Sequence, residues 1–335
     1  MSLDDLHDEL RAVARDLLGK SRSPGWSSLA DAGWLGLEVS EDLGGAGATF
    51  AETAVVLHEM GRALTTSPYL GTILAVHALE LVERNPARDA LLRLVGAGDR
   101  TVAVAMPTGD DDAVTFRIDG GRLSGSVDFV PDASGADRLL VPARTADGET
   151  VLAVVHDDAA GLTVTEQPVL DATRNLGVVA ADGVEVNPAA VWPFDGLRHV
   201  RDRGALAVAC DSLGAGEAML DATVAYAKVR EQFGRPIGSF QAVKHACADM
   251  LVQLTIGREL VNDAVNDPVT IPMAKSYVGG SAVDVVGKAL QLHGGIGYTW
   301  ESGIHVHLKR AALNRSLFGS PLAHRRHLAE RYRNE

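Results

Sequence analysis

A basic and aromatic stretch between two helical patterns offers groups that suit a nucleotide. Residues 226–247 read YAKVREQFGRPIGSFQAVKHAC, with a glycine- and proline-containing turn inside them. Arg230 can bind a phosphate through its planar fork, Phe233 can meet the face of a purine, and Gln241 can hydrogen-bond to an edge. An ordinary helix–turn–helix corner would explain the turn but not this combination of side chains. The stretch therefore predicts a nucleotide-binding corner.

Two segments carry a resemblance to a known family. Residues 230–241, REQFGRPIGSFQ, closely resemble the segment of acyl-CoA dehydrogenases that reaches the adenine half of the FAD of a neighbouring subunit. Residues 291–301, QLHGGIGYTWE, resemble a second family segment, whose glycines bring the backbone close to the pyrophosphate. The resemblance implies FAD as the cofactor. The residues that it implies for cofactor binding are Arg230, Phe233, Gln241, Gln291, Gly294 and Gly295.

The N-terminal part resembles the same family. Residues 34–47, WLGLEVSEDLGGAG, precede a helical pattern that ends in Glu59-Met60-Gly61-Arg62, as in the family's N-terminal domain. In the family this region packs the acyl pocket and does no chemistry. The resemblance covers nearly the whole chain, from about Leu35 to about Pro321.

The catalytic base that the resemblance implies is missing from both of its known positions. Family members remove a proton from the carbon alpha to a thioester, together with a hydride from the beta carbon, and a carboxylate of raised pKa takes the proton. Counting forward from Gln291 places the family's Tyr-Glu-Gly-Thr motif on residues 317–320, LFGS, with Phe318 at the base position. Counting back from Arg230 places the second known base position on Gly204. Neither side chain can accept a proton, so the sequence leaves the base unknown.

Two acidic residues are candidate replacement bases. Asp202 lies just before Gly204 and would reach a pocket if the helix began earlier, although a carboxylate near a helix N-terminus is the simpler interpretation. Asp211 lies among apolar residues of the same helical pattern, where a partner-bonded structural role competes with that of a base. We interpret Glu217 as exposed or ion-paired and Glu301 as structural.

The flavin-contacting stretches also depart from the family pattern. In the family, a Thr-Glu-Pro stretch and a Trp-Ile-Thr-Asn-Gly stretch meet the isoalloxazine ring through hydroxyls and backbone. Here these stretches read AMPTG over 105–109 and FVPDA over 129–133. The threonine expected near flavin N5 falls on Pro131, which has neither a hydroxyl nor an amide N–H. By contrast, the half-site, meaning the six residues that the resemblance implies for binding the FAD of a neighbouring subunit, matches the family pattern.

The elements that must position these residues follow from hydrophobic periodicity. Apolar residues at three- and four-residue spacing predict helices over about 3–18, 51–64, 70–82 and 89–96. From Thr101 the period becomes two, and Gly120-Gly121 and Asp147-Gly148 are hairpin-turn signals. Helical spacing returns over 204–229, 240–261, 273–293 and 301–332, with Ser239 as a predicted N-cap.

This order predicts an α+β multidomain fold of the acyl-CoA dehydrogenase type. The expected parts are an N-terminal helical domain over residues 1–98, a central β-domain over 99–197 and a C-terminal four-helix bundle over 198–335. The family arrangement, in which helices are followed by a β-domain and further helices, has the same layout.

Composition narrows the class of protein. The 335 residues have a formal net charge of −13, which argues against nucleic-acid binding. The two cysteines are expected to be free thiols, and neither a signal peptide nor an apolar run of spanning length is evident, so we expect a cytoplasmic protein with no membrane association. His305 and His307 would face apart on a helix, so no metal site is predicted.

Three functional hypotheses follow, in this order. The first is a subunit of a heteromeric acyl-CoA dehydrogenase, paired in a heterotetramer with a related chain that carries the base, acting in lipid or steroid side-chain breakdown. The second is a homodimeric or homotetrameric dehydrogenase with a relocated base. The third is a fold relative acting as a lyase or hydratase on a CoA thioester, or a binding protein without a redox role. For the dehydrogenases, an acyl-CoA substrate and an electron-accepting flavoprotein are the expected partners.

Overall fold

Helices precede and follow a central sheet, which confirms the predicted fold class. The computed structural model describes residues 3–111, 113–299 and 302–334, without the side chains of residues 3, 4, 332 and 334. The helices before the sheet are α1 (Leu3–Lys20), α2 (Trp26–Asp31), α3 (Phe50–Ala63), α4 (Tyr69–Glu80) and α5 (Pro86–Gly96). Asn85 caps α5, accepting a hydrogen bond from the Arg88 N–H, and Pro86 occupies its first turn.

The sheet has the strand order β6-β7-β3-β2-β4-β5-β8, with β1 paired to β4. Its strands are β1 (Val102–Val104), β2 (Phe116–Asp119), β3 (Arg122–Pro131), β4 (Arg138–Thr145), β5 (Thr150–His156), β6 (Leu162–Glu166), β7 (Leu176–Glu185) and β8 (Val191–Pro193). Gly120-Gly121 joins β2 to β3 and Asp147-Gly148 joins β4 to β5, as predicted. The pattern did not predict β3 as a strand, because register shifts after Leu123 and Val127 take its buried residues off a two-residue repeat.

The C-terminal helices differ from the prediction at three points. They are α6 (Leu197–Val229), α7 (Gln241–Asn266), α8 (Ile271–His293), α9 (Ile304–Ser316) and α10 (Pro321–Asn334). α6 begins seven residues before Gly204. The predicted N-cap Ser239 is wrong, because it lies in a single 3-10 turn and Phe240 stands at the N-cap of α7. The single helix predicted over 301–332 is two helices, because Phe318 and Gly319 have φ angles of 57° and 97° that no α-helix contains.

The chain forms two compact units. The first contains residues 1–22, 54–65 and 205–335, and the second contains residues 23–53 and 66–204. The second unit holds the sheet, whose core is built from small and β-branched side chains such as Ala103, Val141, Ala153 and Val179. The three domain boundaries given above stay a prediction.

In the first unit, α3 and α6 cross with their backbones in contact. A Cβ added at Gly61 would lie 1.9 Å from the Asp211 carbonyl oxygen, and one added at Gly214 would lie 2.0 Å from the His58 carbonyl oxygen. Only glycine fits at either position. This close approach explains why the Glu59-Met60-Gly61-Arg62 sequence is structural.

An ionic network lies beside this crossing. His58 Nε2 lies 3.0 Å from Glu217 Oε2, and His58 Nδ1 lies 3.4 Å from Glu59 Oε1. Arg258 Nη2 lies 2.7 Å from Glu217 Oε1. Burial alone would raise the pKa of Glu217, but the hydrogen bond and charge of His58, followed by those of Arg258, lower it to about 2. Glu217 is therefore ion-paired, as the sequence indicated.

We expect Glu217→Gln to lower the free energy of unfolding most at intermediate pH, and less in acidic and in alkaline solution. The lowered pKa of Glu217 means that its contribution is present above about pH 4.5 and is lost as the pH falls towards 2. Burial would lower the pKa of His58, but its two carboxylate partners raise it, so its contribution is present below pH 6.5 and is lost as the pH rises through the raised value. Urea unfolding should show the largest cost, about 1.5–3 kcal/mol, near pH 5.5. A cost that is equal at pH 2.5, 5.5 and 9 would contradict this assignment.

Two further expectations concern the thiols and membrane spans. Cys210 is buried and Cys247 is partly buried, and both are free thiols. In the described ranges, every helix is too short or too polar to cross a bilayer.

Candidate functional site

The first predicted cofactor segment forms a strained hairpin in the first unit. The short strands β9 (Glu231–Gln232) and β10 (Arg235–Pro236) pair antiparallel and are joined by Phe233 and Gly234, whose φ angles are 55° and 73°. Two consecutive positive φ angles define a type I′ turn, in which asparagine and glycine are the favoured residues. A phenylalanine there is strained by roughly 1–3 kcal/mol, and strain of this kind clusters at ligand sites.

The ring of Phe233 is presented to solvent. It is 92% exposed, although Phe240 supports its edge at a centroid separation of 6.1 Å and an interplanar angle of 82°. The Arg235 guanidinium in turn lies 4.2 Å above the Phe240 ring. Arg230 and Gln241 are also exposed on this corner. The corner therefore presents the exposed ring of Phe233, supported by Phe240, and the exposed guanidinium of Arg230.

The second predicted segment leaves room for close backbone approach. α8 ends at His293, and Gly294, with φ 61° and ψ −144°, donates its N–H to the Gln291 carbonyl oxygen. An added Cβ would meet no atom within 4 Å at either Gly294 or Gly295. Gly294 is required by its backbone angles, whereas the open space at Gly295 leaves a ligand free to approach the main chain.

An aromatic stack brings the two segments together. The rings of Tyr226 and His293 lie parallel within 21° at a centroid separation of 4.5 Å. The Tyr226 hydroxyl donates to the His293 carbonyl oxygen at 3.4 Å. Tyr226 lies in the last turn of α6 and accepts the Arg230 N–H on its own carbonyl oxygen at 2.9 Å. Sequence reasoning missed both residues, because an aromatic ring at helical spacing gives no signal that separates it from a core side chain.

These residues fit the adenine half of a dinucleotide. The corner supplies a guanidinium for phosphate, an aromatic face for a purine and carboxamides for polar edges, all exposed on one unit. The open backbone at Gly295 suits a pyrophosphate. This set of groups therefore suits a nucleotide.

Replacing Phe233 with asparagine should stabilise the fold and weaken cofactor binding. Asparagine tolerates the positive φ, so we expect the free energy of unfolding to rise by about 1 kcal/mol. Loss of the stacking ring should weaken flavin binding by about 5–150-fold, given stacking worth about 1–3 kcal/mol. Thermal unfolding and bound-flavin content measure the two effects. Phe233→Ala is the matched control, since it loses the ring but keeps the strain, and undiminished flavin in both variants would contradict the role.

The two stretches that the resemblance aligns with flavin contacts, 105–109 and 129–133 in the second unit, have side-chain polar groups that bond within the protein. Thr108 is buried, and its hydroxyl donates to the Phe129 carbonyl oxygen at 3.0 Å. The buried Asp132 carboxylate accepts the Gly71 N–H at 2.7 Å. Phe129 and Asp132 have φ angles of 57° and 58°, so the backbone on both sides of Pro131 is left-handed. These stretches therefore have fewer polar side-chain groups available to a flavin than the hairpin corner has available to an adenine.

The segment at the predicted base position is rigidly held in the first unit. Phe318 is 2% exposed, and its carbonyl oxygen accepts from His324 Nε2 at 2.9 Å. The buried Lys275 ammonium donates to the carbonyl oxygens of Asn314, Arg315 and Gly319 at 2.9–3.1 Å. The phenyl ring is buried where the family motif would place a carboxylate. Gly204, at the second position, is a buried residue of α6.

The replacement bases suggested by the sequence have other partners. Asp211 is 1% exposed and accepts hydrogen bonds from Arg310 Nε at 2.9 Å, Arg310 Nη2 at 2.8 Å and Asn314 Nδ2 at 2.6 Å. Asp202 is partly exposed and lies 3.7 Å from Arg198 Nε, one turn earlier in α6. Glu301 lies outside the described residues. The structure thus gives Asp211 a buried ion pair, which is the structural role weighed against catalysis.

Sequence reasoning missed Glu38, a carboxylate of the second unit whose side chain is 13% exposed. Glu38 Oε2 accepts from Arg203 Nη1 at 2.7 Å, and its Oε1 accepts from Thr53 Oγ1 at 2.8 Å. Burial raises the pKa of Glu38, although Arg203 and Thr53 act in the opposite direction. Arg203 also lies 4.2 Å above the Phe50 ring and 3.3 Å from His77 Nδ1. Glu38 is identified by its hydrogen bond with Arg203, the residue before Gly204. No sequence pattern shows this contact.

Comparisons with known proteins identify the family and the fold. The family described as acyl-CoA dehydrogenase, N-terminal domain, matches residues 5–83, and acyl-CoA dehydrogenase, C-terminal domain, matches residues 199–332. Acyl-CoA dehydrogenase IpdE2 of Mycolicibacterium smegmatis is 35% identical over 299 residues, which cover 88% of this chain and 84% of that protein.

Two solved structures share the fold along almost the whole chain. A variant of the Tcur3481-Tcur3483 steroid ACAD has a TM-score of 0.86 and 29% identity, with 98% of each chain covered. The ChsE4-ChsE5 complex from Mycobacterium tuberculosis has a TM-score of 0.88 and 26% identity, with 99% of this chain and 97% of that chain covered.

Proposed function

Because the chain belongs to the acyl-CoA dehydrogenase family, we propose that it takes part in FAD-dependent α,β-dehydrogenation of an acyl-CoA thioester, as a subunit without the family's glutamate base. The observation that carries the proposal is an asymmetry. The corner around Phe233 and Gly295 is exposed and suited to a nucleotide, whereas the base position holds the buried ring of Phe318.

The chain's own residues would bind the adenine half of FAD. Arg230 would pair with phosphate, Phe233 would cover the purine, and the backbone at Gly294 and Gly295 would approach the pyrophosphate. Gln241 and Gln291, both exposed, would hydrogen-bond to polar edges. When bound, the flavin accepts a hydride from the substrate. Because the polar groups of the second unit's flavin-facing stretches are committed internally, we propose that this half-site completes the site of a neighbouring subunit.

The neighbour we propose is a related chain that carries the base. Abstraction of an α-proton requires a carboxylate of raised pKa in a dry site, and neither Phe318 nor Gly204 supplies one. The ChsE4-ChsE5 complex, which shares the fold along nearly the whole chain, supports a heteromeric assembly. The steroid ACAD named above supports a bulky acyl group. An electron-accepting flavoprotein would reoxidise the assembly, which we place in the cytoplasm.

A second candidate function is a homo-oligomeric dehydrogenase with a relocated base. Glu38 favours it, because it is a largely covered carboxyl, 13% exposed, whose pKa is raised by burial and which pairs with Arg203, the residue before Gly204. Loss of dehydrogenase activity in Glu38→Gln with flavin content unchanged would support this candidate. Its weakness is that both carboxylate oxygens already accept hydrogen bonds.

The test is the visible absorption spectrum of the purified chain, together with its mass in solution. We expect a flavin-poor oligomer from the chain alone, and stoichiometric flavin after co-expression with a related acyl-CoA dehydrogenase chain of the same genome. Stoichiometric flavin and dehydrogenase activity from the chain alone would favour the homo-oligomer. A protein that takes up no flavin with any such partner would indicate a CoA-thioester lyase, a hydratase or a binding protein.

Replacing Phe318 with glutamate tests the base position. In a homo-oligomer that takes up flavin in this chain's own site, we expect Phe318→Glu to create a carboxyl whose pKa is raised by burial, and to add acyl-CoA oxidation. Dye reduction with a panel of acyl-CoA thioesters measures it. Phe318→Gln is the matched control, because it has the same shape and no proton-accepting group. A flavin-loaded Phe318→Glu variant that is inert on every thioester would count against this position.

A further inference from the structure

We propose that Tyr226 and His293 are positioning residues of the nucleotide half-site, setting the separation of the Arg230 hairpin from the glycine segment. The inference rests on the proposed function and adds to it two residues that make none of the predicted cofactor contacts. Its basis is the stack between their rings, at 4.5 Å and 21°, at the point where two helices end.

Hydrogen bonds fix both members of the stack at the helix ends, through the Tyr226 backbone and the His293 ring. The Tyr226 carbonyl oxygen accepts the Arg230 N–H at 2.9 Å, and the Arg230 carbonyl oxygen accepts the Ile237 N–H at 2.8 Å. Backbone hydrogen bonds therefore join the base of the hairpin to the last turn of α6. His293 Nδ1–H donates to the Ala289 carbonyl oxygen at 2.8 Å, which fixes the ring against α8. The stack therefore links the end of α6 to the end of α8.

A dinucleotide must touch both segments at once. One phosphate group of its pyrophosphate would pair with Arg230 while the other lies along Gly294 and Gly295. Binding then depends on the distance between the end of α6 and the end of α8. If the stack is lost, that distance fluctuates. Binding must then fix the distance, and the entropy lost in doing so weakens the affinity for FAD. The Tyr226 hydroxyl contributes little, because its contact with the His293 carbonyl oxygen is long at 3.4 Å.

The test compares variants that keep or remove the stack. In the flavin-binding assembly, we expect Tyr226→Ala and His293→Ala to raise the dissociation constant for FAD by about tenfold or more, as loss of about 1.4 kcal/mol requires. Tyr226→Phe, which keeps the ring, should stay within about threefold of wild type, a difference of about 0.6 kcal/mol. Quenching of flavin fluorescence on binding gives the constants at a temperature where each variant is folded.

Leu254→Ala separates positioning from stability. Leu254 is a buried residue of α7, 2% exposed, and its truncation should lower the Tm without changing the FAD dissociation constant. The inference is overturned if the alanine variants of Tyr226 and His293 bind FAD as tightly as wild type, or if Leu254→Ala weakens binding as much as they do. A wild-type protein that binds no FAD in any assembly would overturn the proposed function itself, and the inference with it.

Discussion

Replacing Arg310 with alanine should lower the free energy of unfolding by about 3–5 kcal/mol, the largest stability effect that we expect in this chain. Arg310 and Asp211 are 2% and 1% exposed along their side chains and share two hydrogen bonds. Truncation leaves the Asp211 carboxylate buried and without its charged partner, and the desolvation of that charge is no longer offset. Urea unfolding followed by circular dichroism measures the loss.

Two comparison variants sharpen this prediction. Arg258→Ala removes an arginine that is 47% exposed, so we expect a cost below about 1 kcal/mol. The double variant Asp211→Leu and Arg310→Met removes both charges and should recover part of the stability. If Arg310→Ala costs no more than Arg258→Ala, the buried pair is not a structural element, and Asp211 returns as a candidate base.

Replacing Arg230 with alanine should lower FAD occupancy without unfolding the protein. A hydrogen bond between charged groups contributes about 1.5–3 kcal/mol, so the dissociation constant should rise by about 10–150-fold. Arg230 is exposed, and its backbone bonds within the hairpin survive the substitution, so the Tm of the flavin-free protein should not change. Flavin content after gel filtration and a fluorescence titration measure occupancy and affinity.

The controls for Arg230 test geometry and charge separately. Arg230→Lys keeps the charge but loses the planar fork, so we expect an intermediate affinity. Arg93→Ala removes an exposed arginine from the last turn of α5, and it should leave flavin content unchanged. Unchanged flavin content in Arg230→Ala would remove Arg230 from the cofactor site.

The sequence predicted the elements of the fold better than their junctions. Amphipathic periodicity located the long helices and most strands, because burial of one face imposes a repeat that is readable in any window. It failed at β3, where two register shifts break the two-residue repeat of Arg122–Pro131, and at residues 317–320, where a left-handed Phe318 interrupts a helical pattern. Positive φ in a phenylalanine has no compositional signal, since it is imposed by the surrounding packing.

The candidate site was predictable only where side-chain type carries the chemistry. Arg230, Phe233 and the glycines at 294 and 295 are candidates from their residue types alone, and their part in binding a cofactor stays a prediction. The Tyr226–His293 stack and the Glu38–Arg203 pair could not, because each joins residues distant in sequence through tertiary packing. The strain at Phe233 emerged only when its φ angle was known.

The glycine-mediated crossing of α3 and α6 also has a consequence during synthesis. Its contacts join residues far apart in the chain, since His58 and Glu217 are separated by 159 positions. At roughly 5–20 residues per second, a ribosome completes α3 roughly 8–30 s before the partner segment of α6 exists. Throughout that interval α3 lacks the part of α6 that packs against it at Gly61, and residues 54–65 lack most of their compact unit. The nascent chain is therefore most exposed to aggregation, and most in need of a chaperone, before its C-terminal half emerges.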